Sequence, residues 1–134
     1  MHSANHGATS RNRLRIGRIL ITIPVLFLVW DSVIKLLVIA PVREGLERLG
    51  YPVDVAVGIG ILELVCVVVF LIPRTAIPGA VLLTGFLGGA VATHVRIGDP
   101  LFTHILFPIY VAALLWGGLF LRDNRLRAVV APRQ

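Results

Sequence analysis

Four long apolar runs, separated by short polar breaks, dominate the hydrophobic pattern of this chain. They cover residues 16–40, 55–72, 76–97 and 100–121. Each run has about the length, roughly 17–25 residues, that an α-helix needs to cross the hydrocarbon core of a bilayer. We therefore predict an all-α, polytopic membrane protein whose four spans pack as a bundle over residues 16–121. The flanking segments, 1–15 and 122–134, are polar and rich in arginine, and we predict a disordered first tail and a short basic second one.

The break between the first two runs predicts an additional short helix. Pro41 suits the first turn of a helix, and Gly50 suits its C-terminal cap. Apolar positions in between fall on one face, as expected of a helix that lies along the membrane surface. We predict an interfacial helix over residues 41–50.

The two later breaks are tight turns, so the helices on either side of each break must be antiparallel neighbours. In Gly98-Asp99-Pro100, the glycine can end one helix, the aspartate can cap the next, and the proline can occupy its first turn. Asp54 and Thr75 are placed to cap the second and third spans in the same way.

Composition supports a single membrane domain. The 134 residues are 57% hydrophobic and 15% charged, and the mean hydropathy is +0.88, which excludes a water-soluble domain of this size. Cys66 is the only cysteine, so the chain can form neither an intrachain disulfide nor a Cys-x-x-Cys relay. A thiol-disulfide oxidoreductase that works alone is therefore disfavoured.

The net charge of +6 comes largely from arginines that flank the apolar runs. With four spans, nine of the thirteen basic residues share one side of the membrane with both termini, against four on the other. Basic residues concentrate on the cytoplasmic side, so we predict that both termini are cytoplasmic. No aromatic residues alternate with these arginines, which indicates contact with anionic lipid and not with nucleic acid.

The third run is rich in small residues. Helices in lipid associate through close packing at such residues, since lipid provides no hydrophobic driving force. We predict packing through a G-x-x-x-G pair and a second small pair, formed by Gly85, Gly88, Gly89 and Ala92. We favour contacts within the bundle, although the motif by itself is equally compatible with a homo-oligomer.

Five ionisable side chains lie within the predicted spans: Asp31, Lys35, Glu63, His94 and His104. Such groups cost roughly 2.5–3.5 kcal/mol each at membrane depth and are functional candidates by default. At about 1.5 Å per residue, the two acids lie roughly 13 Å below the outer surface and the other three roughly 5–8 Å below it. We therefore predict one polar pocket that opens outward. Asp31 and Lys35 are one helical turn apart and could equally form a purely structural ion pair.

Glu63 has no basic partner on its own helix. The cation that faces it must come from another helix, and we expect His94 there, with Lys35 or Arg96 as alternatives. Two histidines that face one acid are typical of a proton-handling or ligand-binding site. Their unequal depths argue against a metal site, and we predict none.

Several of these residues belong to motifs that the chain shares with a known family. The motifs are Glu63, Pro73-Arg74-Thr75-Ala76, Leu87-Gly88-Gly89-Ala90, Ala92-Thr93-His94, Gly98-Asp99-Pro100, Phe107-Pro108 and Trp116-Gly117-Gly118. With them, residues 16–130 resemble the DoxX-like family of small bacterial membrane proteins. The resemblance implies a four-helix bundle in the bacterial inner membrane. The founding name comes from a subunit of a thiosulfate:quinone oxidoreductase, and other members are linked with oxidative-stress complexes.

Three functions are compatible with these features. The leading hypothesis is a pocket that binds a lipid-soluble ligand, a quinone, within a redox-linked complex whose redox centre a partner membrane protein supplies, since no cofactor site is encoded here. Whether the chain is itself an enzyme or an auxiliary subunit stays open. The alternatives are a scaffold or assembly factor for a membrane partner and, more weakly, a transporter that acts as an oligomer, because inverted repeats are not evident.

Overall fold

The computed structural model describes residues 2–131; Met1 and residues 132–134, which belong to the two predicted tails, lie outside the described residues. The regular secondary structure of the described residues is entirely helical. Its helices are α1 (His2–Leu37), α2 (Ala40–Leu49), α3 (Val55–Leu71), α4 (Ala76–Arg96), α5 (Phe107–Arg122) and α6 (Asn124–Val130). A 3-10 turn, Pro73–Thr75, precedes α4, and a π-helical turn, Leu101–Ile105, precedes α5.

The four long helices pack side by side around a common core. α1 contacts α3 and α5, and α4 contacts the same two helices on the opposite side. Each helix contributes at least one large apolar side chain that is almost completely buried: Leu28, Val67, Leu83 and Leu115. Many large apolar side chains point outward instead, including Leu26 and Val81. This arrangement suits a bundle surrounded by lipid.

Three segments are long and apolar enough to cross a membrane: Thr9–Leu37, Pro73–Arg96 and Leu101–Arg122. The remaining long helix, α3, is apolar but has 17 residues and is shorter than the other three. Length and composition therefore identify three membrane-crossing candidates in the part of the chain that the structure describes.

The N-terminal part of the chain differs from the disordered segment predicted over residues 1–15. The structure includes residues 2–15 in α1, which runs without a break through Pro24. This region contains no proline before Pro24, and arginine is a good helix former. The predicted helix over residues 41–50 is present as α2, with Pro41 in its first turn and Gly50 as its C-terminal cap at a φ of 80°.

None of the three predicted N-caps acts as one. The side chains of Asp54 and Thr75 make no capping hydrogen bond; the Thr75 hydroxyl donates to the carbonyl of Val69 at 2.7 Å instead. Asp99 does not cap either, because its carboxylate is engaged by other side chains, as described below. Gly98 does end α4, with a φ of 71°.

The glycines that allow helices to approach are not those that we predicted. A Cβ added at Gly85, Gly88 or Gly89 would have no atom within 4 Å, and Ala92 is exposed. These four residues therefore make no close helix contact within the described chain. A helical repeat of small residues defines a face, but it does not determine whether that face meets a neighbour.

Three other contacts provide the close approaches. A Cβ at Gly79 would lie 2.4 Å from the backbone N and Cα of Phe70, so α3 and α4 touch there backbone to backbone. Gly17 and Gly118 perform the same role between α1 and α5. The third contact, at Gly60 between α3 and α1, positions the site described next.

Candidate functional site

A lysine held between two carboxylates lies where α1 and α3 meet. Asp31 is one turn before Lys35 on α1, and its Oδ2 lies 2.5 Å from Lys35 Nζ. Gly60 allows α3 to approach Lys35 closely, since a Cβ there would lie 3.0 Å from the lysine Cβ. Glu63, almost one turn further along α3, then reaches the same ammonium, with its Oε2 at 2.8 Å from Nζ. We call Asp31, Lys35 and Glu63 the triad.

The triad is closed at one end and open at the other. The Glu63 side chain is 0% exposed, whereas the side chains of Lys35 and Asp31 are 20% and 25% exposed. The ring of Phe86 covers the ammonium, with Nζ 5.5 Å from the ring centroid. Asp31 and Lys35 thus form the partly exposed side of the triad, and Glu63 forms its buried end.

One hydrogen-bond acceptor of the triad has no partner among the described residues. Glu63 Oε1 is buried and has no hydrogen-bond partner among the described residues. Two carboxyl groups also face a single ammonium. Buried carboxylate oxygens are normally paired, so this atom is an acceptor available to a hydroxyl, a water or a proton.

The two histidines do not join the triad. His94 Nδ1 lies 2.5 Å from Asp99 Oδ2, on the other side of the Gly98 turn. The His94 and His104 rings contact each other edge to face, with centroids 5.8 Å apart. His104 Nδ1 in turn lies 2.8 Å from the hydroxyl of Thr103.

The predicted single pocket is therefore two separate polar groups. Lys35, the predicted alternative to His94, is the cation that faces Glu63. Depths along the helices placed all five residues in the outer half, but depth says nothing about the direction in which a side chain points around its helix.

Asp99 is the central acceptor of the polar group that contains His94, a role that the sequence did not indicate. Arg48 of α2 donates to its Oδ1 at 2.5 Å, and His94 of α4 contacts its Oδ2. Arg96 also donates to the carbonyl of Leu49. We call the contacts of Asp99 with Arg48 and His94 the outer clamp, because they fasten α2 to the end of α4. Pairing of a residue on α2 with one 51 positions away leaves no periodic signal in the sequence.

The outer clamp predicts an acid-sensitive contact. Hydrogen bonds from Arg48 and His94 hold the pKa of Asp99 at about 2, below its ordinary value of 3.8. A carboxyl whose pKa is lower in the folded state contributes stability above its ordinary pKa and loses it as the pH falls through the folded value. We therefore expect the melting temperature in detergent to fall between about pH 4 and pH 2 partly through Asp99, and Asp99→Asn to remove that part.

Circular dichroism melts of the natural protein and the variant at several pH values between 2 and 6 test this expectation. Asp54→Asn is a suitable control, because Asp54 forms no ion pair within the described chain. Parallel curves for the natural protein and Asp99→Asn over this pH range would contradict the assignment.

Two cavities lie elsewhere in the molecule. A groove of about 510 Å³ is lined by residues between Arg11 and Ile23 of α1, and a cavity of about 340 Å³ lies beside α6 and the turn before α4. Neither is lined by a triad residue. Within the described residues, no three histidine, cysteine, aspartate or glutamate side chains are grouped to hold a metal ion.

The model of the DoxX-like family matches residues 19–118, which include the triad, both histidines and Asp99. The chain belongs to the DoxX-like family. No curated protein and no solved structure matches it. Membership of the DoxX-like family, together with three helices long and apolar enough to cross a bilayer, makes it a membrane protein.

Proposed function

We propose that this DoxX-like protein spans the bacterial inner membrane four times, with both termini in the cytoplasm. The 17 residues of α3 are about 25 Å long, which reaches the lower end of the length range of a membrane-spanning helix. An even number of spans places the nine basic residues of the tails and the Arg74 turn on one side. The triad then lies in the outer half of the bundle.

We further propose that the triad binds the polar head of a lipid-soluble ligand of the quinone class. The observation that supports this is the buried, unpartnered Oε1 of Glu63 beside the ammonium of Lys35. A quinone carbonyl accepts a hydrogen bond from the ammonium, whereas a quinol hydroxyl donates one to the carboxylate. A pair of groups with opposite hydrogen-bonding roles can therefore hold both redox forms.

The proposed chemistry is proton exchange with the head group. Reduction of a quinone to a quinol consumes two electrons and two protons. The electrons would come from a partner redox protein of the membrane. Glu63 would pass protons to the head group, and Asp31, which is 25% exposed, would connect the lysine to the outer water. The protein would thus be a ligand-binding subunit of a redox-linked complex.

Glu63→Gln is expected to weaken quinone binding at least tenfold. The amide keeps the shape of the side chain but removes the charged acceptor, and hydrogen bonds to charged groups contribute about 1.5–3 kcal/mol. Equilibrium binding of a short-chain ubiquinone analogue to the purified full chain in detergent measures the effect. Glu47→Gln removes the same charge from an exposed position on α2 and should bind like the natural protein. Absence of saturable binding, or equal affinity of Glu63→Gln, would refute the assignment.

A non-catalytic scaffold is the second candidate, and the exposed face of α4 supports it. Gly85, Gly88 and Gly89 form a smooth surface that no helix among the described residues covers. Small-residue surfaces of this kind allow close packing of another membrane helix. Glu63→Gln separates the two functions. A scaffold should keep its partner in this variant, whereas a ligand-binding subunit should lose activity.

A further inference from the structure

Three arginines of α1 form a one-sided basic surface. Arg11, Arg15 and Arg18 follow one another at i, i+4 and i+7, so they lie on the same face of the helix. No acidic residue precedes Asp31 in the sequence, and none of the three guanidinium groups has a hydrogen-bond or ion-pair partner in the described part of the chain. Three neighbouring like charges without a counter-charge favour the binding of an anion.

The surface is a groove with a polar end and an apolar end. The three arginines line the N-terminal part of the cavity of about 510 Å³. Ile19 and Ile23 line the part nearer the bundle, and they are 53% and 58% exposed. The Thr22 hydroxyl donates to the carbonyl of Arg18 at 2.6 Å, so this side chain already has a partner. An anion in the groove would therefore be held by the guanidinium groups, and the apolar wall formed by Ile19 and Ile23 lies next to it on the C-terminal side.

The depth of the groove matches that of lipid head groups. The three arginines extend over about 10 Å along the helix axis, beginning just outside the apolar span and ending at its first turns. The polar region of one leaflet is roughly 5–8 Å thick. Guanidinium groups at this level meet phosphates, and the isoleucines meet the first methylenes of the acyl chain.

We propose that this groove is a binding site for the phosphate of an anionic phospholipid in the leaflet that surrounds this end of α1. Guanidinium groups bind phosphate oxygens in a bidentate manner, which lysines cannot reproduce. The apolar wall adds contacts that a free phosphate ion cannot use. Each arginine near a lipid phosphate is expected to raise the affinity roughly fivefold.

Native mass spectrometry of the full chain in a non-ionic detergent tests this site. Phosphatidylglycerol and phosphatidylcholine with identical acyl chains are the two ligands. We expect the natural protein to bind phosphatidylglycerol more tightly, Arg15→Gln and Arg18→Gln each to lose roughly fivefold in affinity, and their phosphatidylcholine binding to stay unchanged. Arg15→Lys should keep part of the affinity, because lysine keeps the charge but not the bidentate geometry. Unchanged phosphatidylcholine binding shows that the glutamine variants are folded.

Arg43→Gln is the matched control, since it removes the same charge from an exposed position on α2, at the other end of the bundle. An equal loss of phosphatidylglycerol binding in Arg43→Gln would overturn the proposal, because the effect would then depend on net charge alone. Equal affinity for the two lipids would also overturn it. Displacement of phosphatidylglycerol by millimolar inorganic phosphate would instead assign the groove to free anions and refute a lipid site. The Glu63→Gln variant should bind phosphatidylglycerol normally, so this site and the proposed quinone site fail independently.

Discussion

Lys35→Met is expected to lower the free energy of unfolding by about 3–5 kcal/mol, the range observed when one partner of a buried ion pair is removed. The substitution keeps an unbranched side chain of similar length, so the loss reflects charge more than packing. Glu63 would then be 0% exposed with neither of its oxygens paired to a cation. Asp31, which is 25% exposed, can still be solvated and should contribute less.

The double variant Lys35→Met/Glu63→Gln separates lost charge pairing from lost packing. It removes the buried carboxylate along with the ammonium, so we expect it to recover a substantial part of the stability lost in Lys35→Met. Denaturant or thermal unfolding in detergent, followed by circular dichroism, measures both. Equal losses in the single and double variants would show that the Lys35–Glu63 contact contributes no net electrostatic stability.

Of the two contacts that Lys35 makes in the triad, only the one with Asp31 follows from the sequence. Asp31 and Lys35 share a helix, so their spacing alone predicts the contact. The contact of Lys35 with Glu63 depends on how α1 and α3 are rotated about their axes, and Gly60 determines that approach. Residue spacing gives position along a helix but not the direction of a side chain relative to a neighbouring helix, so the predicted contact of His94 with Glu63 was wrong.

The helices themselves were easier to predict than their ends. Long apolar runs predicted both ends of α3 and α4 to within one residue and the C-terminal end of α1 to within three, because a membrane span requires a minimum length. The fourth run predicted a helix from residue 100, whereas α5 begins seven residues later, at Phe107. The caps could not be predicted in this way, since Asp99 can either cap a helix or pair with a distant arginine. The structure pairs it with Arg48, 51 residues away.

The second large effect is expected from the glycines of α4. Gly79→Ala should destabilise the bundle, whereas Gly85→Ala should not. A Cβ at Gly79 would lie 2.4 Å from two backbone atoms of Phe70, so α3 and α4 must move apart. Steric overpacking of this kind costs about 1–3 kcal/mol. At Gly85 a Cβ meets open space, and alanine should raise the helix stability by up to about 1 kcal/mol.

Unfolding of the two variants in the same detergent distinguishes the two faces of α4, because the helix, the substitution and the added methyl group are the same. A loss of stability in Gly85→Ala would mean that the face carrying Gly88 and Gly89 is covered after all. If that loss increased with protein concentration, the cover would be a second copy of the chain, since dissociation of an oligomer depends on concentration and packing within one chain does not. A stable Gly79→Ala would contradict the close contact with Phe70, and with it the order in which the helices pack around the triad.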